Sequence, residues 1–342
     1  IPLYRATAHE LQMMERGRAG EERVEWAARY YAASMTPEAR TYLTDQRGLP
    51  DGILGTAVLG WADGSLCRVV QSQCGDEWLG VLQEVGLVRP VRNSFTGEVR
   101  DQLYQRVTFP ALRRQRPVFL SGRSLDGTEP KYMHQRGVRA PLYNEDVIGP
   151  DRVIVTEGPL DALSLQAWEY PAVALQGGAR ESAFALLRRP RWVFLCLDAD
   201  RAGRDSTLRL CAALGERVRI VTLPDGADPN DVYRSSTRAE FQARLDAAKL
   251  PVYHLLEQLP RSAPTDGLSQ RLAPILRLLA GYPPLNAEAY LQVVASSLKL
   301  NAALLRAARQ ELEAQRAGIR MQCPACGTIL LHGGTPHGRS GV

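Results

Sequence analysis

Residues 152–204 read RVIVTEGPLDALSLQAWEYPAVALQGGARESAFALLRRPRWVFLCLDADRAGR. The apolar and β-branched runs Arg152–Thr156, Ala172–Leu175 and Trp192–Leu197 predict strands, and Asp161–Trp168 and Glu181–Arg188 predict helices between them. Arg204–Leu214 extends the pattern as a helix and Val218–Leu223 as a further strand. Strands alternating with helices argue a parallel, doubly wound sheet, in which ligands lie beyond the carboxyl ends of the strands. Three acidic clusters follow three of these strands: Glu157-Gly158-Pro159-Leu160-Asp161, then Asp198-Ala199-Asp200, then Asp225 to Asp231, which contains Asp228-Pro229-Asn230.

The clusters are expected to converge on one edge of the sheet. Glu157 and Asp161 stand four apart across a strand-to-helix turn that Gly158 loosens, and Asp198 and Asp200 alternate at a strand end. Crowded carboxylates repel unless a cation compensates them, and hard oxygen donors select Mg²⁺ or Mn²⁺. Such ions serve phosphoryl transfer by neutralising phosphate charge. Taken alone, an Asp-x-Asp at a strand end also fits a haloacid-dehalogenase-type phosphatase or a metal-dependent glycosyltransferase. The order of the pieces is more specific than any one of them.

Charge points the same way. The chain has 342 residues and a formal net charge of +5, with Lys131, Lys249 and Lys299 its only lysines. Between Arg89 and Arg139 eleven basic residues face four acidic ones, so the basic excess is local. A basic stretch beside a near-neutral remainder suits a polyanion such as nucleic acid. No apolar run reaches the roughly 18 residues of a membrane span, no signal peptide is visible, and six cysteines in a chain this long do not suggest a disulfide scaffold. A reducing, cytoplasmic location is expected. The chain begins at Ile1 rather than Met, as a piece of a longer protein would.

Around the central segment, residues 6–46 read as helical, with Thr36 and Pro37 as an N-cap and first-turn pair and Gly48 as a stop. Residues 50–148 read as short strands and loops with one periodic helix near Glu77–Val85, and residues 237–316 as helices broken at Pro260–Pro264 and Pro283–Pro284. The expected organisation is a mixed α+β basic subdomain (1–150), the α/β parallel-sheet domain flanked by helices (151–236), a helical subdomain (237–318) and a Gly-rich tail (319–342). In that tail Cys323, Cys326, His332 and His337 could close a tetrahedral zinc site, although their spacing is shorter than in zinc fingers.

The ordered motifs resemble the Toprim domain of primases, topoisomerases, OLD-type nucleases and RecR-type repair proteins. Glu157 falls on that family's glutamate and Asp198 and Asp200 on its Asp-x-Asp. LDADRAGRDS (197–206), LPDGADPNDV (223–232), QRVTFP (105–110) and SGRSLDGTEPKYM (121–133) are similar to the bacterial DnaG-type primases, over roughly residues 20–316. The resemblance implies a primase catalytic core, a nucleotidyltransferase that makes short RNA primers on single-stranded DNA for replication. It implies Glu157, Asp198 and Asp200 as catalytic residues, and Glu157, Asp161, Asp198, Asp200 and Asp228 as ligands of Mg²⁺ or Mn²⁺. Arg106, Arg123 and Lys131 are expected to hold template or nucleotide phosphates, Tyr132 or Tyr104 to stack on a base, and Arg201 and Arg204 to touch a triphosphate or offset the carboxylates. Ribonucleoside triphosphates, a DNA template and a replicative helicase within a primosome are the implied partners. A Toprim nuclease or topoisomerase-like enzyme, and a non-catalytic nucleic-acid-binding Toprim protein, are the alternatives. One departure stands out: the family commonly carries Asp-Pro-Asp where this chain has Asp228-Pro229-Asn230, so metal binding is expected to weaken or shift there.

Overall fold

The computed structural model describes residues 8–91, 98–178, 180–198, 201–259 and 268–318. The chain divides into two units, residues 1–207 with 221–248, and residues 208–220 with 249–342.

The first unit opens with the long helix α1 (Ala8–Ala33), followed by α2 (Pro37–Thr41). As the sequence predicts, Thr36 Oγ1 accepts from Ala39 N at 3.2 Å with Pro37 in the first turn. The chain then passes through a π-helical turn (Tyr42–Gln46) to Gly48, at φ 73°. Next come α3 (Asp51–Thr56), β1 (Gly60–Ala62), α4 (Leu66–Gln73) and α5 (Asp76–Glu84). Helices α3 and α4 lie where loops and strands were expected. They are too short to display a full period: α4 buries only Leu66 and Val70, one turn apart.

A two-stranded ribbon follows, β2 (Val88–Pro90) against β3 (Val99–Asp101). The strands β4 (Arg106–Arg113), β5 (Arg116–Arg123) and β6 (Tyr132–His134) join β1 in an antiparallel sheet of order β1-β4-β5-β6. Helix α1 lies directly on this sheet: a Cβ at Gly60 would stand 2.2 Å from the carbonyl carbon of Tyr31. Tyr31 and Leu66, Leu82, Leu87, Leu103 and Leu120 form the core beneath it. Each such side chain contributes about 2 kcal/mol on burial. Asp101 is buried in this core; Tyr31 OH and Leu103 N donate to its Oδ1 at 2.9 and 2.8 Å, and burial lifts its carboxyl to about 6.

The parallel sheet is formed by β7 (Arg152–Thr156), β8 (Ala172–Ala174) and β9 (Trp192–Leu195), in the order β8-β7-β9, with α6 (Pro159–Ala167) and α7 (Glu181–Leu187) between the strands. Its β7 interior, Val153 to Val155, is fully buried, as a strand covered on both faces must be. Helix α8 (Arg201–Leu214) follows β9 and belongs to the second unit from Leu208 on, and α9 (Pro229–Ser235) and α10 (Arg238–Asp246) complete the first unit. A second core joins Phe109 and Phe119 of the antiparallel sheet to Tyr143, Ile154, Leu163 and Phe241. The basic region and the parallel sheet therefore share one interior.

The second unit contains β10 (Val218–Ile220) and the helices α11 (Pro251–Glu257), α12 (Leu268–Leu279), α13 (Pro284–Leu298) and α14 (Ala302–Gly318). Ile275, Leu279, Leu291 and Val294 are buried within it. Pro284 occupies the first turn of α13, at the predicted break. Arg306 grips Glu288 through both carboxylate oxygens, which holds that carboxyl down to about 2. No helix among the described residues is long and apolar enough to cross a membrane.

Candidate active site

The strand β7 ends at Thr156, and Glu157 and Gly158 carry the chain into α6, whose first turn holds Asp161. Thr156 Oγ1 lies 3.2 Å from both Gly158 O and Val173 O, which fixes the turn. Glu157 reaches sideways, its Oε1 accepting from the Asp198 backbone N at 3.1 Å beyond the end of β9. Its own carbonyl accepts from Gln176 N, so Glu157 bridges the ends of all three parallel strands. Gly203, in the first turn of α8, presses on the same junction: a Cβ there would stand 2.1 Å from Asp198 O and 2.5 Å from Glu157 Oε1.

Asp161 is buried and its carboxyl is pushed up to about 8. Burial is the main cause, and the negative charges of Asp228 and Asp198 add to it; the Asn230 N–H and the Arg123 guanidinium act in the opposite direction. The electrostatics thus place Asp161, Asp198 and Asp228 within one field, with Glu157 tied to the same loop. Asp200 and its neighbour Ala199 lie outside the described residues.

In donor chemistry, such a set is of the kind that hard divalent cations take. Oxygen donors only, with mutual repulsion already charged onto the buried member, is the situation a dication relieves. Among the described residues no three His, Cys, Asp or Glu side chains are gathered closely enough to hold a metal as they stand.

The third acidic cluster is mostly a helix cap. Asp228 caps α9, accepting from Asp231 N at 2.7 Å, while Asp231 Oδ2 accepts from Asp228 N at 3.3 Å. Asn230, where a weakened ligand position was expected, is fully buried and bonded to Arg47 and Ser164.

Of the basic and aromatic candidates, Arg123 and Tyr132 are brought to the acidic edge. Arg123 donates to Tyr132 OH at 2.8 Å, and a Cβ on Gly158 would lie 3.2 Å from that hydroxyl. Burial raises the Tyr132 phenol well above its ordinary value, so it stays protonated. Arg106 is buried and spends its terminal nitrogens on the Tyr104 and Pro130 carbonyls, at 3.0 and 3.1 Å. Those donors hold the β4 edge and the loop before β6 together rather than facing solvent phosphate. Lys131 and Arg204 are exposed, Tyr104 is exposed over Gly64, and the Arg201 side chain is outside the description. Cys323, Cys326, His332 and His337 lie outside the described residues.

Two features carried no local signal. His134 is half-buried, its ring beside Gly177 and Arg180, and burial and the Arg180 charge lower its basicity. Arg47 bonds to the Asn230 side chain, 183 residues away along the chain, behind the acidic edge.

A family model described as Toprim-like matches residues 154–233, the stretch from β7 to α9 that carries Glu157, Asp161, Asp198 and Asp228. The DNA primase of Salmonella typhimurium is 30% identical over 286 residues, 74% of this chain and 48% of that protein. The DNA primase of Pseudomonas aeruginosa is 31% identical over 230 residues, 60% of this chain and 34% of that protein. Among solved structures, a DnaG primase catalytic domain bound to ssDNA superposes with a TM-score of 0.69 at 25% identity, covering 85% of this chain and 99% of that one. An Escherichia coli primase catalytic core gives 0.66 at 26% identity, covering 82% and 98%. Over about three quarters of its length the chain is similar to the bacterial DnaG-type primases, and it carries the fold of their catalytic core. It spans about half the length of the Salmonella relative.

Proposed function

We propose that this chain is a primase catalytic core, a nucleotidyltransferase that joins ribonucleotides into a short primer on a single-stranded DNA template. The observation that carries the proposal is the convergence of Asp161, Asp198 and Asp228 on one edge, beside Glu157 and faced by Arg123 and Tyr132. Ribonucleoside triphosphates are the substrates and a replicative helicase is a partner in this reading.

Glu157, Asp161, Asp198, Asp200 and Asp228 would hold Mg²⁺ or Mn²⁺. When bound, the metal neutralises triphosphate charge and lowers the barrier to attack at phosphorus. The rest is done by the chain itself. Arg123, buried and near enough to Asp161 to oppose the rise of its carboxyl, would supply a fixed positive charge toward phosphate oxygens that enter the edge. Tyr132 holds that guanidinium in place and offers its hydroxyl to the same space. Glu157, anchored to Asp198 N, would orient the primer 3′-hydroxyl or receive its proton. Lys131 and Arg204, both exposed, extend the positive field along the approach. In the tail, the two thiols and two imidazoles would suit zinc.

The test is incorporation of labelled ribonucleotides on single-stranded DNA with Mg²⁺ or Mn²⁺, for the chain and for Asp198→Ala. Template-dependent short RNA is expected from the chain, and loss of at least about a hundredfold from the variant with its circular dichroism unchanged. Near-normal synthesis by folded Asp198→Ala would reject the assignment.

A further inference from the structure

The third acidic cluster has Asn230 where the primase resemblance has a second aspartate, and the straightforward interpretation is a lost ligand. The geometry points elsewhere. Asn230 has no exposed surface, and both amide donors are spent inside the protein: Nδ2 donates to Arg47 O at 2.9 Å and to Ser164 Oγ at 2.8 Å. Its Oδ1 accepts from Arg47 Nη1 at 3.3 Å. None of these side-chain bonds goes to an acidic residue. Only the backbone of Asn230 meets the site, its N–H standing 3.4 Å from Asp161 Oδ1.

The clamp is anchored at both ends. On one side Arg47 Nε donates to Tyr42 OH at 3.0 Å, its guanidinium lies 5.2 Å from the Tyr42 ring centre, and Gly48 O accepts from Tyr233 OH at 3.1 Å. Asn230 and Tyr233 are one helical turn apart, so α9 is held to the Arg47-Gly48 turn at two points on one face. On the other side Ser164 Oγ donates to Leu160 O at 2.8 Å, within the helix that carries Asp161. The clamp therefore ties together the turn after the π-helical segment, the helix capped by Asp228 and the helix that bears Asp161.

We infer that Asn230 is a positioning residue, which through Arg47 and Ser164 sets where the Asp228 cap and the Asp161 carboxyl stand, and not a vacated metal-ligand position. This rests on the reading of the acidic edge as a metal-binding catalytic site. It also accounts for the amide. A carboxylate at 230 would replace the Nδ2 donor by an acceptor facing the Arg47 carbonyl, and would bury a further charge beside Asp161, Asp198 and Asp228.

The experiment measures binding of Mn²⁺ alone to the full chain, through loss of the free-ion electron paramagnetic resonance signal, for the unaltered chain, Asn230→Ala, Asn230→Asp and Arg47→Lys. Thermal melts accompany each to establish folding. Loss of a group that orients metal ligands typically costs about tenfold or more in metal affinity, and Asn230→Ala and Arg47→Lys are expected to weaken Mn²⁺ by about that much. Asn230→Asp is expected to bind no more tightly than the unaltered chain. Ribonucleotide incorporation by Asn230→Ala is expected to need more Mn²⁺ for half-maximal rate while approaching the normal rate at saturation. Tighter Mn²⁺ binding by Asn230→Asp would overturn the inference and identify position 230 as a ligand position. Unchanged affinity in folded Asn230→Ala, or in folded Arg47→Lys should the alanine variant not fold, would reduce the clamp to ordinary packing and also overturn it. An unaltered chain that binds no Mn²⁺ would bring down the primase reading together with this inference, whereas the other failures leave that reading standing.

Discussion

At the scale of single residues, the acidic edge depends as much on groups without charge as on its carboxylates. Gly203 is the sharpest case. Because Glu157 Oε1 and Asp198 O both close on the space a Cβ would fill, the helix start and the two acidic loops can meet only over hydrogen. A methyl group there has to displace the Asp198 backbone or break the Glu157 contact, and a displacement of about 1 Å costs on the order of a hundredfold in rate. Gly203→Ala is expected to lose that much ribonucleotide incorporation and to bind Mn²⁺ more weakly, with an unaltered far-ultraviolet dichroism spectrum. A variant with normal rate and normal Mn²⁺ affinity would mean that the loops do not need their present spacing. Glu157, Asp161, Asp198 and Asp228 were legible as candidates because each stands a fixed, short distance past a run of strand-forming residues. The disposition of Asn230 and Arg106 was not, because whether a polar side chain faces the site or the interior depends on partners such as Arg47, Ser164 and Pro130 that lie far away in sequence.

At the scale of elements, periodicity revealed the long members and missed the short ones. Strands β7 and β9 and helices α6 and α7 were visible in the sequence because β-branched runs and helical runs alternate there without interruption. Helices α3 and α4 were not, since six to eight residues with one or two buried side chains give no period to detect. Helix α9 was hidden for a related reason: its Asp-Pro start reads as an acidic loop, although Asp228 and Asp231 are a reciprocal capping box. Aromatic packing joins the Asn230 hydrogen bonds in holding the α9–α10 pair to the β7–α6 layer. Phe241 of α10 is fully buried, with ring centres 5.6 Å from Trp168 and 5.3 Å from Tyr170, and Trp168 also meets Tyr233 of α9 at 4.9 Å. Removing that ring leaves a cavity that the rigid β7–α6 layer cannot close. Phe241→Ala is therefore expected to cost about 4 kcal/mol in urea-induced unfolding of the first unit. A loss under about 1 kcal/mol would show that α10 is only loosely attached.

At the scale of the whole molecule, the first unit merges a basic antiparallel sheet and an acidic parallel one over a single interior, and its stability should carry the mark of the carboxyl groups buried to achieve this. Asp161 is bound up with the acidic edge, but Asp101 lies in the α1 core, where its pH effect can be isolated. Its carboxyl stands near 6 in the folded chain against an ordinary 3.8, chiefly through burial and despite hydrogen bonds from Leu103 N and Tyr31 OH. A raised acid binds its proton more tightly when folded than when unfolded. Stability from this group consequently grows as pH falls through about 6 toward 3.8, and above 6 the buried charge is a standing cost. The difference between about 6 and 3.8 corresponds to about 3 kcal/mol. Asp101→Asn retains the Oδ1 acceptor for Tyr31 and Leu103 and removes the titration. The amide it introduces has no partner waiting at the Oδ2 position, but that penalty is the same at every pH. The variant's absolute stability is thus ambiguous while its pH dependence is not. Between pH 4.5 and 8 the unaltered chain is expected to lose more melting temperature than Asp101→Asn, by several degrees, measured in one buffer series without divalent metal. Parallel curves for the two proteins would mean that Asp101 is already ionised at no cost in the fold, and that the core under α1 is wetter than its packing implies.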